Sequence, residues 1–303
     1  MNVIGNTPLI KLERLSENGC ADIFVKYEGS NPTGSMKDRM ALAMIKGAEK
    51  RGELRLGGKV VEYTGGSTGS SLAMVCAVKG YKAHFVSSDA FAEEKLQTMK
   101  AFGAELELIP SENGKINAKL IDDMITRAGE LSKAPNTFWP NQFNNVDNRN
   151  AYHSMAREII DVLGKNIDEF IMGVGTGGSF SGNAEVFKEV IPNIRCIPIE
   201  PKNVRALSGG DITGNHKLEG IGSGFVPSIC RLDLADEIIQ VSDEDAYKTA
   251  RDLARKEGIF GGTTSGANVW AAIQRARIIG AGKTIVTIIC DSGLKYLNGD
   301  LYR

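Results

Sequence analysis

Histidine is scarce: His84, His153 and His216 are the only three in 303 residues, and their scatter gives no metal cluster. Five cysteines, Cys20, Cys76, Cys196, Cys230 and Cys290, are odd in number and contain no CxxC pair. Isolated buried thiols in a reducing cytosol are therefore expected, rather than disulfides or zinc. Long apolar runs are also missing. The best of them, Ile285 to Cys290, is interrupted by Thr287 and is far too short to span a bilayer. The opening Met1-Asn-Val-Ile-Gly-Asn-Thr-Pro8 has no basic stretch followed by an apolar one, so no secretory leader and a cytoplasmic location are expected. Charge of neither sign dominates: 36 Lys and Arg stand against 37 Asp and Glu, a formal net charge of −1. That balance gives no basis for nucleic acid or an anionic membrane as partner and leaves small metabolites as the expected ligands.

Glycine is in excess. Average usage of roughly 7% would give about 21 residues, and the chain has 35. The surplus gathers in short loops, where a missing Cβ lets backbone N–H groups approach a ligand. These loops punctuate an alternation of strands and helices. Strands are expected at Lys59–Tyr63, Ala83–Ser87, Glu105–Ile109, Glu169–Met172, Cys196–Glu200 and Thr284–Cys290. Helices are expected through Leu72, Val75, Cys76 and Val78 to Gly80, over 92–102 and 118–131, up to Val190, from the cap Ser242 to Gly258, and over 265–279. Such βα units imply mostly parallel sheets with helices on both faces. A chain of this length favours two lobes. The aperiodic stretch Ala134 to Asn150 is the candidate crossover between them.

In open α/β sheets ligands bind where strands end and helices begin, and several loops sit there. Gly173-Val-Gly-Thr-Gly-Gly-Ser179 could enclose a phosphate with backbone amides and the hydroxyls of Thr176 and Ser179. It also matches the dinucleotide fingerprint Gly173-x-Gly175-x-x-Gly178, with Glu200 placed as a ribose-binding acid. On this loop alone the two readings weigh equally. Thr64-Gly-Gly-Ser-Thr-Gly69 suits a small carboxylate, although an ordinary helix cap looks the same. Lys37, in Asn31-Pro-Thr-Gly-Ser-Met-Lys-Asp-Arg39, begins a helix whose positive end favours the neutral amine needed to condense with an aldehyde. Asp291-Ser-Gly293 follows the last apolar strand and could present a hydroxyl to a heterocyclic nitrogen.

Taken in order, these segments resemble the cysteine synthase family of pyridoxal-phosphate enzymes, of fold type II. The match runs through Ile4-Gly-Asn-Thr-Pro-Leu9, the Lys37 segment, Thr64–Gly69, Asn141-Gln-Phe143, Gly175–Ser179, Gly220–Pro227, Ser265-Gly-Ala267 and Asp291-Ser-Gly293. Eight motifs in register outweigh the dinucleotide reading. The resemblance implies a tryptophan synthase β-like fold of two three-layer α/β lobes with twisted, mostly parallel sheets. Residues 35–145 would form the smaller lobe, its mobile part at about 80–130; 1–34 and 146–303 would form the larger. It implies that Lys37 forms the imine with pyridoxal phosphate and then acts as the Cα-proton base. Gly175, Thr176, Gly177, Gly178 and Ser179 would hold the phosphate, and Ser292 the pyridine nitrogen. Thr64, Gly65, Thr68 and Gln142 would bind the substrate carboxylate, with Gly220 on the loop over the amine.

The implied activity is β-replacement on a serine-type amino acid through α-aminoacrylate, foremost synthesis of cysteine from O-acetylserine and sulfide. Desulfhydration and cystathionine-type condensation are the alternatives, with an NAD-linked enzyme a distant one. A homodimer is implied, with the C-terminal peptide of a serine acetyltransferase as a further partner. A neutral serine at the pyridine nitrogen implies a weak electron sink and prompt loss of the β-substituent. Only ten residues follow Gly293, so no appended regulatory module is expected. Two departures stand in the carboxylate loop, where the usual pattern is Thr-Ser-Gly-Asn-Thr-Gly. Ser67 replaces the asparagine that meets the cofactor's ring oxygen, which places a water between them, and Gly65 replaces a serine, which is expected to leave room near the substrate. Asp233 and Asp236, after the 220–227 loop, read as surface acids more readily than as an added base.

Overall fold

A computed structural model describes residues 1–114 and 118–303. In chain order the elements are β1 (Leu9–Lys11), β2 (Asp22–Tyr27), α1 (Lys37–Arg51), β3 (Lys59–Tyr63), α2 (Ser67–Lys79), β4 (Lys82–Ser88), α3 (Glu93–Ala101), β5 (Glu105–Ile109), α4 (Ala118–Leu131) and β6 (Thr137–Phe138). There follow α5 (Val146–Asn150), α6 (His153–Leu163), β7 (Glu169–Gly173), α7 (Gly178–Val190), β8 (Arg195–Pro201), β9 (Ile239–Val241), α8 (Asp243–Asp252), α9 (Thr263–Ile279) and β10 (Thr284–Ile289). The chain divides into two compact units, one of Lys37–Asn148 with Met1, the other of Asn2–Met36 and Arg149–Arg303.

The unit of 37–148 has a parallel sheet ordered β5-β4-β3-β6. Its helix α4 is amphipathic at helical spacing, so Leu120, Met124 and Ala128 all lie against Val61 and Val86. The larger unit has six strands ordered β1-β2-β10-β7-β8-β9, all parallel except for β1. Strands buried on both faces need continuous apolar side chains, and Ile285, Ile289, Ile171, Ile197 and Ile199 supply them. Helix α9 packs here through Ala267, Ala271, Ala272 and Ala276. Its Gly266 is required by the neighbouring chain, because a Cβ there would fall under 3.0 Å from the Ala246 carbonyl of α8. No helix among the described residues is long and apolar enough to cross a membrane.

The alternation of glycine loops, strands and helices is as expected, and the differences are local. The stretch Ala134–Asn150 is not without structure: β6 pairs with β3 and α5 begins at Val146. The helix opened by Ser242 stops being α-helical at Asp252 and widens into a π turn over Leu253–Glu257, before Gly258 ends it in the left-handed region. The Ser242 hydroxyl accepts from the Asp245 N–H at 3.1 Å, the cap the sequence implied. Strands β1 and β2 carry no glycine-loop signature and were missed.

Candidate active site

The strongest anion-binding geometry lies in the larger unit, at the carboxyl ends of adjacent parallel strands. β7 runs into Gly173–Gly177, and α7 begins at Gly178 with no side chain capping it. Its first-turn N–H groups are thus left for a ligand, and the helix dipole favours a negative one. Gly177 sits at φ +81°, a left-handed position that suits glycine. A Cβ on Gly175 would collide with the Gly220 carbonyl, and one on Gly177 with Cys230. Thr176 and Ser179 are buried here, and the Thr176 hydroxyl lies 3.5 Å from the Gly178 nitrogen. Glycines that no larger residue can replace, an uncapped helix and two hydroxyls fit a phosphate monoester.

The surrounding loops are fixed by backbone bonds. Gly173 N donates to Asn268 Oδ1 at 2.8 Å, and Asn268 Nδ2 donates to the Ile288 carbonyl at 2.8 Å, so one side chain ties the ends of β7 and β10. Gly220, at φ +97°, follows Glu219, whose N–H and C=O are held by the hydroxyls of Thr263 and Thr264. Gly222 N donates to the Val174 carbonyl at 3.1 Å. Ser292 follows β10, next to β7, and bridges to Gly261. Its hydroxyl accepts from Leu294 N at 3.3 Å, which leaves the O–H proton for another acceptor. Beside it the buried Tyr296 hydroxyl donates to Asp291 at 2.8 Å, and burial raises its pKa well above the ordinary value. The chain leaves this unit at Met36, whose N–H donates to the Cys290 carbonyl at 2.9 Å, and the next residue is Lys37.

In the other unit Lys37 is half-buried at the first position of α1, between Met36 and two buried charged residues, Asp38 and Arg39. The loop Thr64–Gly69 joins β3 to α2. The buried Thr64 hydroxyl accepts from Gly66 N at 3.2 Å and from Gly69 N at 3.1 Å, so this helix start is partly self-capped, unlike that of α7. Ser67 is the first residue of α2 and half-buried. Thr68 Oγ1 donates to Gln142 Oε1 at 2.8 Å, which brings two residues 74 positions apart into one polar patch with Thr64 and Gly65. Behind it lies a residue that sequence reading missed. Glu62 is fully buried in β3 and accepts from Trp139 Nε1 at 2.9 Å and from the Gln142 N–H at 3.2 Å. Burial pushes its pKa up to about 7. A lone acid inside Lys59-Val-Val-Glu-Tyr63 was the available signal.

The model of the pyridoxal-phosphate dependent enzymes matches residues 1–291. The chain belongs to this family. It is 43% identical over 302 residues to the cysteine synthase of Staphylococcus aureus, an alignment covering 99% of this chain and 95% of that protein. A hydrogen sulfide-producing enzyme from Fusobacterium nucleatum has a solved structure with a TM-score of 0.90 at 42% identity, covering 98% of this chain and 96% of that one. The cysteine synthase of Entamoeba histolytica gives a TM-score of 0.93 at 36% identity, covering 99% and 89%. Membership makes this chain a pyridoxal-phosphate enzyme of fold type II, and the family's cofactor carries a phosphate of the kind the α7 cradle fits.

Family membership removes the dinucleotide reading, and the geometry gives the reason. Glu200 is the next-to-last residue of β8, but its carboxylate is already engaged by the N–H and hydroxyl of Ser208 and by the Leu207 N–H at 2.8 Å, three donors from its own following loop. The room expected beside Gly65 is also absent, because the Phe91 ring fills it. Asp233 and Asp236 are exposed acids with partners of their own. Asp233 pairs with Arg231 at 2.6 Å, which keeps its carboxyl below the usual range, and Asp236 with Lys188 at 2.8 Å and Cys196 N at 2.7 Å.

Proposed function

We propose that the chain catalyses β-replacement on a serine-type amino acid and is foremost a cysteine synthase, joining an activated serine to sulfide. The observation that carries this reading is the uncapped glycine cradle at α7, within a chain that resembles cysteine synthases over its whole length. Bound pyridoxal phosphate would draw electron density from the amino acid's Cα and acidify its proton. Gly175–Ser179 would hold the phosphate by backbone N–H groups and by the hydroxyls of Thr176 and Ser179. Ser292 would donate a hydrogen bond to the ring nitrogen without protonating it, and Ser67 would face the ring oxygen through water. Lys37 would hold the cofactor through its Nζ and serve as the base at the amino acid's Cα proton. The net exchange would break the Cβ–O bond, the electron pair leaving with oxygen, and make a Cβ–S bond to sulfide, while Lys37 would return the proton to Cα. Thr64, Gly65, Thr68 and Gln142 would bind the substrate carboxylate, and Gly220 its amine.

A second reading, release of sulfide from cysteine, is favoured by the 42% identical sulfide-producing enzyme. The same residues serve it with water in place of sulfide. We place the protein in the cytoplasm as a homodimer able to accept an acetyltransferase's C-terminal peptide, a reading supported by the resemblance. Borohydride treatment of cofactor-loaded protein should add the cofactor's mass to the Lys37 peptide. Lys37→Ala should abolish turnover. A panel of O-acetylserine, serine and cysteine against sulfide and homocysteine separates synthesis, desulfhydration and condensation. An unmodified Lys37 peptide, or full activity in Lys37→Ala, refutes the scheme.

A further inference from the structure

The glycines of the 64–69 loop each face a side chain from one stripe. The Cβ directions of Gly65, Gly66 and Gly69 point at Phe91, Lys95 and Met99 respectively, the first lying just before the start of α3 and the other two one turn apart on it. At Gly66 the meeting atom is Lys95 Cδ, at 2.8 Å, the flexible stem of a lysine. At Gly65 it is a ring: Cε1, Cδ1 and Cζ of Phe91 all lie within the space a Cβ would need. The ring is half-buried and packed against the Val61 and Val86 cluster, which limits its freedom to swing away, while the Phe91 N–H, 3.3 Å from the Ser88 carbonyl, fixes the backbone that carries it.

We propose that Phe91 is a positioning residue for the substrate carboxylate, an inference that rests on the reading of Thr64–Gly69 as the carboxylate loop. Where the usual loop has a serine, this chain has no hydroxyl, and an aromatic ring occupies that place. The carboxylate is then met by backbone N–H groups and threonine hydroxyls, and the ring holds that backbone in place and keeps water from behind it. Gly65 and Phe91 form a coupled pair: either the serine or the ring fits, not both.

The test is a cycle of Phe91→Ala, Phe91→Leu, Gly65→Ser and the Gly65→Ser/Phe91→Ala double variant in the holoenzyme. Phe91→Ala should raise the donor KM about tenfold, a factor worth about 1.4 kcal/mol, with kcat and the sulfide KM within about twofold. Phe91→Leu should recover part of the loss. Gly65→Ser should weaken donor binding and lower Tm, and adding Phe91→Ala should restore both, a coupling expected of residues in contact. A donor KM unchanged in Phe91→Ala overturns the inference, as do losses that simply add in the double variant. Lower Tm with unaltered amino-acid affinity would reduce the ring to packing and overturns it too. If wild type binds amino acids but forms no product with any acceptor, the β-replacement reading alone falls, and amino-acid Kd replaces KM in the same cycle.

Discussion

Glu62 offers a test of the polar patch that needs no substrate. The carboxyl is fully buried in β3, and burial outweighs its hydrogen bonds to Trp139 Nε1 and to the N–H groups of Gln142, Tyr63 and Asn141, placing its pKa at about 7 against 4.5 in an unfolded chain. Because the folded-state value is the higher, the fold binds the proton more tightly than the unfolded chain does. Stability therefore falls as pH rises from about 4.5 to 7, and the full cost of the buried charge is present above 7. The step from 4.5 to about 7, at 1.36 kcal/mol per tenfold change in proton affinity, gives about 3 kcal/mol. Glu62→Gln keeps the shape and does not titrate. Whatever its amide loses against the surrounding N–H donors is the same at every pH. The variant should thus gain about 3 kcal/mol on wild type between pH 4.5 and pH 8, whichever is the more stable at the start. Denaturant unfolding followed through tryptophan fluorescence reads this directly, since Trp139 donates to Glu62. A constant difference across pH, or wild type gaining as pH rises, would mean that the hydrogen bonds hold the carboxylate ionised and that the desolvation argument is wrong.

Gly175→Ala should cost about 1–3 kcal/mol from overpacking against the Gly220 carbonyl, and more in cofactor affinity; melting and cofactor titration check it, and wild-type values in both would refute the cradle. Ser242→Ala should lose about 1 kcal/mol of stability by removing the cap that Asp245 N uses, with turnover unchanged. Arg275→Met should cost about 3 kcal/mol in thermal unfolding, since it strips Glu169, 1% exposed, of its bidentate partner at 2.9 and 2.5 Å and leaves only Arg195 at 3.3 Å.

The legible parts of this fold were those where a local rule acts on neighbouring residues. Apolar runs ending in glycine loops located β3, β7 and β10 to within a residue or so, a run stopped by Pro110 located β5, and Ser242 marked its helix because capping acts within four consecutive positions. The segments of the candidate site stand out in the sequence for the same reason, since strand ends and helix starts announce themselves in glycines and hydroxyls. What stayed hidden depends on partners distant in sequence. β6 is two residues that exist as a strand because β3 lies alongside. Glu62 makes sense only with Trp139 and Gln142 around it, and the apparent room at Gly65 vanishes only when Phe91 arrives from the next βα unit. Asn268 likewise looks like any helical asparagine until its two backbone partners are known.

The pairing of β2 with β10 bears on how the chain is made. Ile23 lies opposite Ile285 and Val25 opposite Thr287, so β2 finds its parallel neighbour only after the whole stretch between it and β10 has been translated. The unit of 37–148, with Met1 its sole residue from outside that span, is complete long before, and domains tend to fold as they leave the ribosome. During that interval Ile23 and Val25 belong to an apolar edge awaiting its partner, the kind of surface that recruits chaperones or aggregates. Synthesis of this protein should accordingly be most vulnerable in the time between residue 148 and the arrival of the final strand.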